Sequence, residues 1–314
     1  MKQFLSVNDV TDLDELIAEA LALKEAPYAD QLLGKNKTLG LVFMNPSLRT
    51  RMSTQKAAMN LGMNVIVMNM DKEGWALEFN DGAIMNGSTV EHIRDAGAVM
   101  GQYCDVIGVR CFPTLKNREE DYNENVLHGF VKHSQVPVIS LESATLHPLQ
   151  SFADLITISE NINTKPKVVL AWAPHVKALP QAVANSFSSW MCNANIDFTI
   201  THPESFELAK QFTSGAVIEY NQEKALRDAD FVYVKNWSSY RHYGEVKSNG
   251  ENWLLNAAKM KVTNNAKIMH CLPVRRNVEL MDELIDGQDS LILKQALNRV
   301  YAAQTILKRM INNL

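Results

Sequence analysis

Short apolar, β-rich runs alternate with stretches of helical periodicity along the whole chain. That alternation constrains the fold more than any other feature of the sequence. Runs at Leu39–Phe43, Asn64–Met68, Val106–Val109, Val136–Ser140, Val168–Trp172, Asp197–Thr201, Phe231–Val234 and Lys267–His270 read as strands. Leu13–Lys24, Thr50–Leu61, Thr89–Cys104, Leu149–Glu160, Pro180–Met191, Glu223–Asp228, Trp253–Ala257 and Lys294–Ile311 read as helices. Strands that alternate with helices favour parallel pairing, with the helices covering both faces of the sheet. The expected fold class is therefore α/β, with two domains, each a parallel sheet flanked by helices. A chain of 314 residues has room for two cores of roughly 150 residues each. His147-Pro148 interrupts the pattern within Leu141–Asp154, so the domains are expected at 1–145 and 146–294. Residues 295–314, the last helix, are expected to return and pack on the first domain.

Composition narrows the chemistry mainly by exclusion. Apolar residues make up 46% and charged residues 21%, an ordinary globular mixture. The formal net charge is -4, which gives no electrostatic reason to expect nucleic acid or an anionic membrane as partner. The cysteines, Cys104, Cys111, Cys192 and Cys271, form no C-x-x-C pair, so neither a zinc site nor a redox couple is expected. They do not read as a secreted disulfide framework. Met1–Asp14 has no apolar core of signal-peptide length, and no apolar run approaches the roughly 18 residues needed to span a membrane. These features describe a reduced, cytoplasmic chain. No glycine-rich G-x-G-x-x-G follows the first strand of either half, so the sheets need not bind a dinucleotide.

Three segments carry chemistry. Leu39–Phe43 ends in Met44-Asn45-Pro46, followed by Ser47-Leu48-Arg49-Thr50-Arg51 and a helix. A helix start offers unpaired N–H groups and a partial positive charge. Hydroxyls and two guanidinium groups in the same turn add donors that suit a phosphate. Read alone, the segment is equally a helix capped by Ser47 with solvated arginines. The second segment is His147-Pro148-Leu149-Gln150, where proline holds the histidine extended outside the helix that follows. Alone it reads more simply as a turn. The third is His270-Cys271-Leu272-Pro273-Val274-Arg275-Arg276-Asn277 at a strand end, which alone reads as a buried cysteine and a basic loop.

Together the three resemble the aspartate/ornithine carbamoyltransferase family, whose members carry S-x-R-T-R, H-P-x-Q and H-C-L-P in this order. The resemblance runs the length of the chain and includes Leu297-Asn298-Arg299. The S-M-G segment that holds the free α-amine in ornithine enzymes is absent. Lys235-Asn236-Trp237 stands in that region, and the Pro-rich stretch Trp172–Ser186 resembles the N-acylornithine branch. A cation in place of an anionic partner suits an α-amine that is acylated and neutral.

The resemblance implies a site between two domains, a homotrimer with sites shared across subunits, a knotted backbone near the Pro-rich loop, and no metal or organic cofactor. It implies Ser47, Leu48, Arg49 and Thr50 at the phosphate, and Trp75 reaching into a neighbouring subunit's site. Arg110, His147, Gln150 and Arg299 would hold the carbamoyl end. Cys271 and Leu272 would orient the amine, with Arg110, His147 and Cys271 closest to the reaction. Glu142, His175, Asn185, Lys235 and Arg275 would hold the acylornithine.

Acetyl-preferring members of the branch carry glutamate at the position matched by Val90, and succinyl-preferring members an uncharged residue. A carboxylate there would repel the distal carboxylate of a succinyl group. Val90 therefore points to N-succinyl-L-ornithine as acceptor. A register one residue later would place Glu91 there and point to N-acetyl-L-ornithine. Glu279 stands where some acetyl-preferring members have a modified lysine. It reads either as a permanent negative charge in the site or as a surface glutamate at a helix start. A carbamoyltransferase for another amine, in catabolism, and a non-catalytic paralogue remain as rivals. Intact S-L-R-T-R, H-P-L-Q and H-C-L-P argue against the paralogue.

Overall fold

The computed structural model describes residues 1–70, 72–162, 164–246 and 250–314. They form two compact units. The first comprises residues 1–114, 119–149 and 299–314, and the second residues 115–118 and 150–298. The division thus falls inside the last helix, Ile292–Ile311, between Asn298 and Arg299.

The first unit contains β1 (Gln3–Phe4), β2 (Thr38–Phe43), β3 (Asn64–Asn69), β4 (Leu77–Glu78), β5 (Glu91–His92), β6 (Val106–Arg110) and β7 (Val138–Glu142). Five of them form one parallel sheet in the order β1-β7-β6-β2-β3, and β4 pairs with β5 alone. The central strands β6 and β7 are buried at every position, as their uninterrupted apolar runs require. Edge strand β3 alternates between exposed and half-buried positions along its first half. Val42, Ile107, Val109, Leu127, Phe130 and Val138 lie in a shared core with Ile93 and Ala96 of helix Ile93–Tyr103.

The chain leaves β2 through helix Arg49–Asn60 towards β3 on one side, and leaves β6 through helix Asn125–His133 towards β7 on the other. The adjacent carboxyl ends of β2 and β6 therefore form a topological switch point, where open α/β sheets place their ligands. Phe43 and Arg110, the last residues of these two strands, are direct partners across the ladder.

The second unit repeats the device. Its strands are β8 (Lys167–Trp172), β9 (Asp197–Thr201), β10 (Val217–Ile218), β11 (Phe231–Lys235) and β12 (Lys267–Met269). They form a parallel sheet in the order β10-β9-β8-β11-β12. Connections diverge after β8 and β11, whose last residues, Trp172 and Lys235, are paired. Val169, Ala171, Val232, Val234 and Ile268 share its core with Leu255, Leu280 and Ile285.

Several expected boundaries move. Val136–Ser140 becomes Val138–Glu142, because Pro137 has no N–H to give the ladder and pairing starts after it. The helix expected over Thr89–Cys104 begins only at Ile93, with Glu91 and His92 drawn into the small β4–β5 pair and the His92 imidazole accepting from the Arg94 N–H. No single helix spans Trp253–Ala257. A 3-10 turn ends at Trp253, Leu255 bridges to Leu280, and a new helix starts at Ala257 under an Asn256 cap. Helix Asn125–His133 lies outside the expected set, since Gly129 weakens its helical signal. That glycine is used for close approach: a Cβ there would sit 3.1 Å from Ile93 and 3.2 Å from Phe79.

Helix Arg49–Asn60, which carries Arg49, Thr50 and Arg51, ends in a Schellman turn. Gly62 (φ +75°) donates to the Met59 carbonyl and Met63 to that of Ala58. A Cβ at Gly62 would meet the Gln31 carbonyl oxygen at 2.0 Å. Gly62→Ala should cost about 2–3 kcal/mol, combining left-handed strain with a backbone clash. A shift of the urea midpoint to lower concentration at unchanged m-value measures it; an unchanged midpoint would mean the turn gives way freely.

Candidate active site

In the first unit Arg110, at the switch point, and Arg299, on the last helix, both reach the Thr50 hydroxyl. Ser47 accepts from the Thr50 N–H at 3.3 Å, so it caps the first turn as its position predicts. Leu48, the residue before the helix, is exposed, whereas Thr50 is buried. Arg299 Nη2 donates to Thr50 Oγ1 at 2.6 Å and Arg110 Nη1 approaches the same oxygen at 3.4 Å. A cavity of about 320 Å³ opens beside this turn, lined by Pro46, Ser47, Leu48, Arg51, Asn69 and Lys72.

Arg110 is 7% exposed. A buried guanidinium needs compensation, and it finds it at the end of β7, where it donates to Glu142 Oε2. Its face also covers the Phe112 ring at 4.5 Å. His147 Nε2 lies 3.4 Å from the same Glu142 oxygen. Arg110 thus donates to this oxygen and His147 stands close to it, and a substrate carbonyl gaining negative charge would suit the same pair. Burial, with Arg299, Arg110 and Arg49 nearby, holds the His147 imidazole well below its ordinary pKa. His147 is therefore neutral, and its place beside a carboxylate puts the single ring proton on Nε2.

Trp75 and Val90 belong to the first unit but lie outside this hydrogen-bonded cluster. Both are exposed, and Val90 is 64% so. Trp75 Nε1 donates to Glu91 Oε2 at 2.8 Å, and the Val90 N–H to the Ala76 carbonyl at 2.9 Å.

The second unit holds the other predicted residues. Lys235 ends β11 at the switch point and is buried. His175 follows β8; Arg275 Nε donates to its Nε2 at 3.1 Å, and its Nδ1 lies 2.8 Å from the Lys177 carbonyl oxygen and 3.0 Å from the Lys177 N–H. Cys271 and Leu272 follow β12. Leu272 has φ +58°, a conformation costing a leucine of order 1–3 kcal/mol. Its N–H donates to His270 Nδ1 at 2.9 Å. Asn185 is fully buried on helix Ala182–Asn193, and Gln150 on helix Pro148–Ser159.

Glu279 corrects one expectation: it is neither at the surface nor in a helix. It is 1% exposed in a turn, accepts from the Arg275 N–H at 2.8 Å and lies 3.8 Å from His270 Nε2. Burial pushes its carboxyl up, but His270, the Lys235 cation and the Arg275 N–H outweigh that and hold it at about 2. The apolar spacing around it, Val278 and Leu280, gave no sign of this. Tyr233 and Gln295 are polar residues of the same region that motif reading did not single out, because their partners are distant in sequence.

Two family models match the chain. One describes the carbamoyl-P binding domain of aspartate/ornithine carbamoyltransferases and covers residues 2–160; the other describes the Asp/Orn binding domain and covers 180–310. The chain belongs to the aspartate/ornithine carbamoyltransferase family. It is 51% identical to an N-succinylornithine carbamoyltransferase of Bacteroides fragilis, and 34% identical to an N-acetylornithine carbamoyltransferase of Xylella fastidiosa; the alignments cover 100% and 98% of each chain. Among solved structures, a glutamate-to-valine variant of N-acetyl-L-ornithine transcarbamylase, complexed with carbamyl phosphate and N-succinyl-L-norvaline, superposes with a TM-score of 0.94. The two are 33% identical, over 99% of this chain and 100% of that one. Among the described residues no helix is long and apolar enough to cross a membrane, and no cluster of potential ligands could hold a metal.

The neutral, buried His147 has a consequence for stability. Its folded pKa is depressed, so below the unfolded value of about 6.5 the unfolded chain binds the extra proton and stability falls with pH. Denaturation midpoints measured from pH 7.5 down to 5 should decline, and His147→Gln should flatten that decline. Equal slopes in both proteins would mean that His147 protonates freely in the fold.

Proposed function

We propose that this carbamoyltransferase moves the carbamoyl group of carbamoyl phosphate to the δ-amine of N-succinyl-L-ornithine, giving N-succinyl-L-citrulline and phosphate, in cytoplasmic arginine biosynthesis. The observation that carries this reading is full-length identity of 50–51% to N-succinylornithine enzymes, against 33–34% to N-acetylornithine enzymes.

In this reading Ser47, Leu48, Arg49 and Thr50 bind the phosphate. Arg110, His147 and Arg299, with Gln150, hold the carbamoyl end. The amine lone pair attacks the carbamoyl carbon, the new C–N bond forms, the C–O bond to phosphate breaks, and the departing phosphate takes the proton. Arg110 and His147 Nε2–H stabilise the oxygen that gains charge. A free δ-amine has a pKa of about 10.4, and the surrounding arginines favour its neutral form. Cys271 and the Leu272 carbonyl orient it, and Glu142, His175, Asn185, Lys235 and Arg275 take up the acylated end. Trp75 completes the site of a neighbouring copy in a homotrimer.

Val90 supports succinyl over acetyl. Its neighbour Glu91 is engaged by Trp75, which leaves the uncharged residue as the one presented. The relative crystallised with N-succinyl-L-norvaline carries valine in place of a glutamate.

Purified protein assayed with carbamoyl phosphate should turn over N-succinylornithine in preference to N-acetylornithine, ornithine and putrescine. Val90→Glu should shift the first preference towards N-acetylornithine by about tenfold, one repelled charge at close range being worth about 1.4 kcal/mol. Preference for N-acetylornithine by the unaltered protein would overturn the assignment. Arg49→Ala should raise KM for carbamoyl phosphate by about 10²-fold. Ordinary saturation by that substrate would remove Arg49 from the phosphate site.

A further inference from the structure

In the first unit one carboxylate gathers the short loop that joins Glu142 to His147. Glu142 ends β7, and residues 143–146 alone separate it from His147. The Ser143 N–H donates to the Leu146 carbonyl at 2.8 Å, and the Leu146 N–H to Ser143 Oγ at 3.1 Å, which closes the loop on itself. Its other donors turn to Glu124. The Ser143 hydroxyl, the Thr145 N–H and the Thr145 hydroxyl reach Oε1 at 2.6, 2.8 and 2.5 Å, and the Ala144 N–H reaches Oε2 at 3.1 Å.

Local chemistry does not favour a glutamate at this place. Its φ of +51° lies in the left-handed region that suits glycine. It stands at the N-cap of helix Asn125–His133, where Ser, Thr, Asn or Asp would be preferred, and its side chain does not cap that helix. A residue held in a sparsely populated backbone region, with its side chain committed to another segment, points to a role. Cys111 shows where the charge acts. Burial first, then the Glu124 and Glu142 carboxylates, push its thiol well up, so both carboxylates bear on the residue next to Arg110.

We propose that Glu124 is a positioning residue for His147. By gathering the donors of residues 143–145 it fixes the span between Glu142 and His147, and with it the direction in which His147 presents its Nε2–H. This rests on the reading that Arg110 and His147 meet the carbamoyl oxygen. Arg110 is tied to Glu142 at one end of the loop, and His147 stands at the other. An opened loop would therefore move one donor against the other. A displacement of about 1 Å that starts away from the chemistry can cost about 10²-fold in rate. The phosphate turn is a separate segment and would not follow.

The test combines histidine-ring 15N spectra with kinetics of the intact enzyme. The unaltered protein should show His147 as a single Nε2–H tautomer, because Glu142 lies beside that nitrogen. Glu124→Gln keeps the size but has one acceptor oxygen, and its NH2 would face either Ala144 or Thr145 donor to donor. It should mix the tautomers and lower kcat by about tenfold or more, with inhibition by inorganic phosphate kept within about twofold. General loosening of the fold would not produce that split. Glu124→Gly suits the backbone while removing the carboxylate, and should give the same changes where Glu124→Gln does not fold. An unchanged Nε2–H tautomer in either folded variant overturns the proposal, whatever kcat does. Mixed tautomers with kcat unmoved would overturn the premise that His147 meets the carbamoyl oxygen, and leave the assigned reaction standing.

Discussion

The pairing of β2 with β6, with connections that leave in opposite directions, is the constraint on which the polar cluster of the first unit depends. It puts Phe43 beside Arg110 and so delivers the Ser47–Arg51 turn and the Arg110 guanidinium to one end of one sheet. Parallel strands make this direct, because every carboxyl end points the same way. The pairing of β8 with β11 does the same for Trp172 and Lys235. Two sheets of different sequence thus present their chemistry by one topological rule.

That delivery has an electrostatic cost, and each unit meets it with one buried glutamate. Arg110, Arg299 and Arg49 crowd His147, and Glu142 takes up Arg110. Lys235 is buried, and its charge helps to hold the carboxyl of Glu279, which lies 3.8 Å from His270 Nε2, well below the ordinary range. Neither arrangement is evidence of added stability, since buried charges often gain little over apolar packing. Their effect is positional: they hold donors at fixed points without requiring solvent. A donor that needs no reorientation during the reaction is worth most where charge develops.

Much of this was legible in the sequence. Parallel α/β sheets follow from the alternation alone. Ser47 was readable as a cap, and the strand before it placed the motif at a carboxyl end. Residues fixed by distant partners were not legible. Glu279 sits between Val278 and Leu280 and looks like a turn glutamate until His270 and Lys235 are brought to it. Glu124 has a left-handed φ of +51° and receives the Ala144 and Thr145 N–H groups at 3.1 and 2.8 Å, bracing the loop before His147. Only tertiary contact reveals why a glutamate tolerates that backbone. Element boundaries moved for local reasons of the same kind, as when Pro137 delayed β7 and the β4–β5 pair took the first residues expected in a helix.

The division between buried and exposed positions bears on how such enzymes diverge. Thr50, Arg110, His147, Gln150 and Asp154 are locked into networks in which one altered group leaves another unpaired, and each loss is costly in a dry interior. Val90 and Trp75 are exposed on a segment tied down by the small β4–β5 pair and a few backbone bonds. Exchange of an exposed side chain there disturbs no core and leaves no buried group unsatisfied, so it changes stability little. On the proposed reading, in which Val90 sets the acceptor, that preference can shift while the buried networks stay fixed. Relatives 51% and 34% identical to this chain, aligned over nearly their full lengths, carry the names of different acylornithines. That is the pattern expected when specificity is placed where the fold depends on it least.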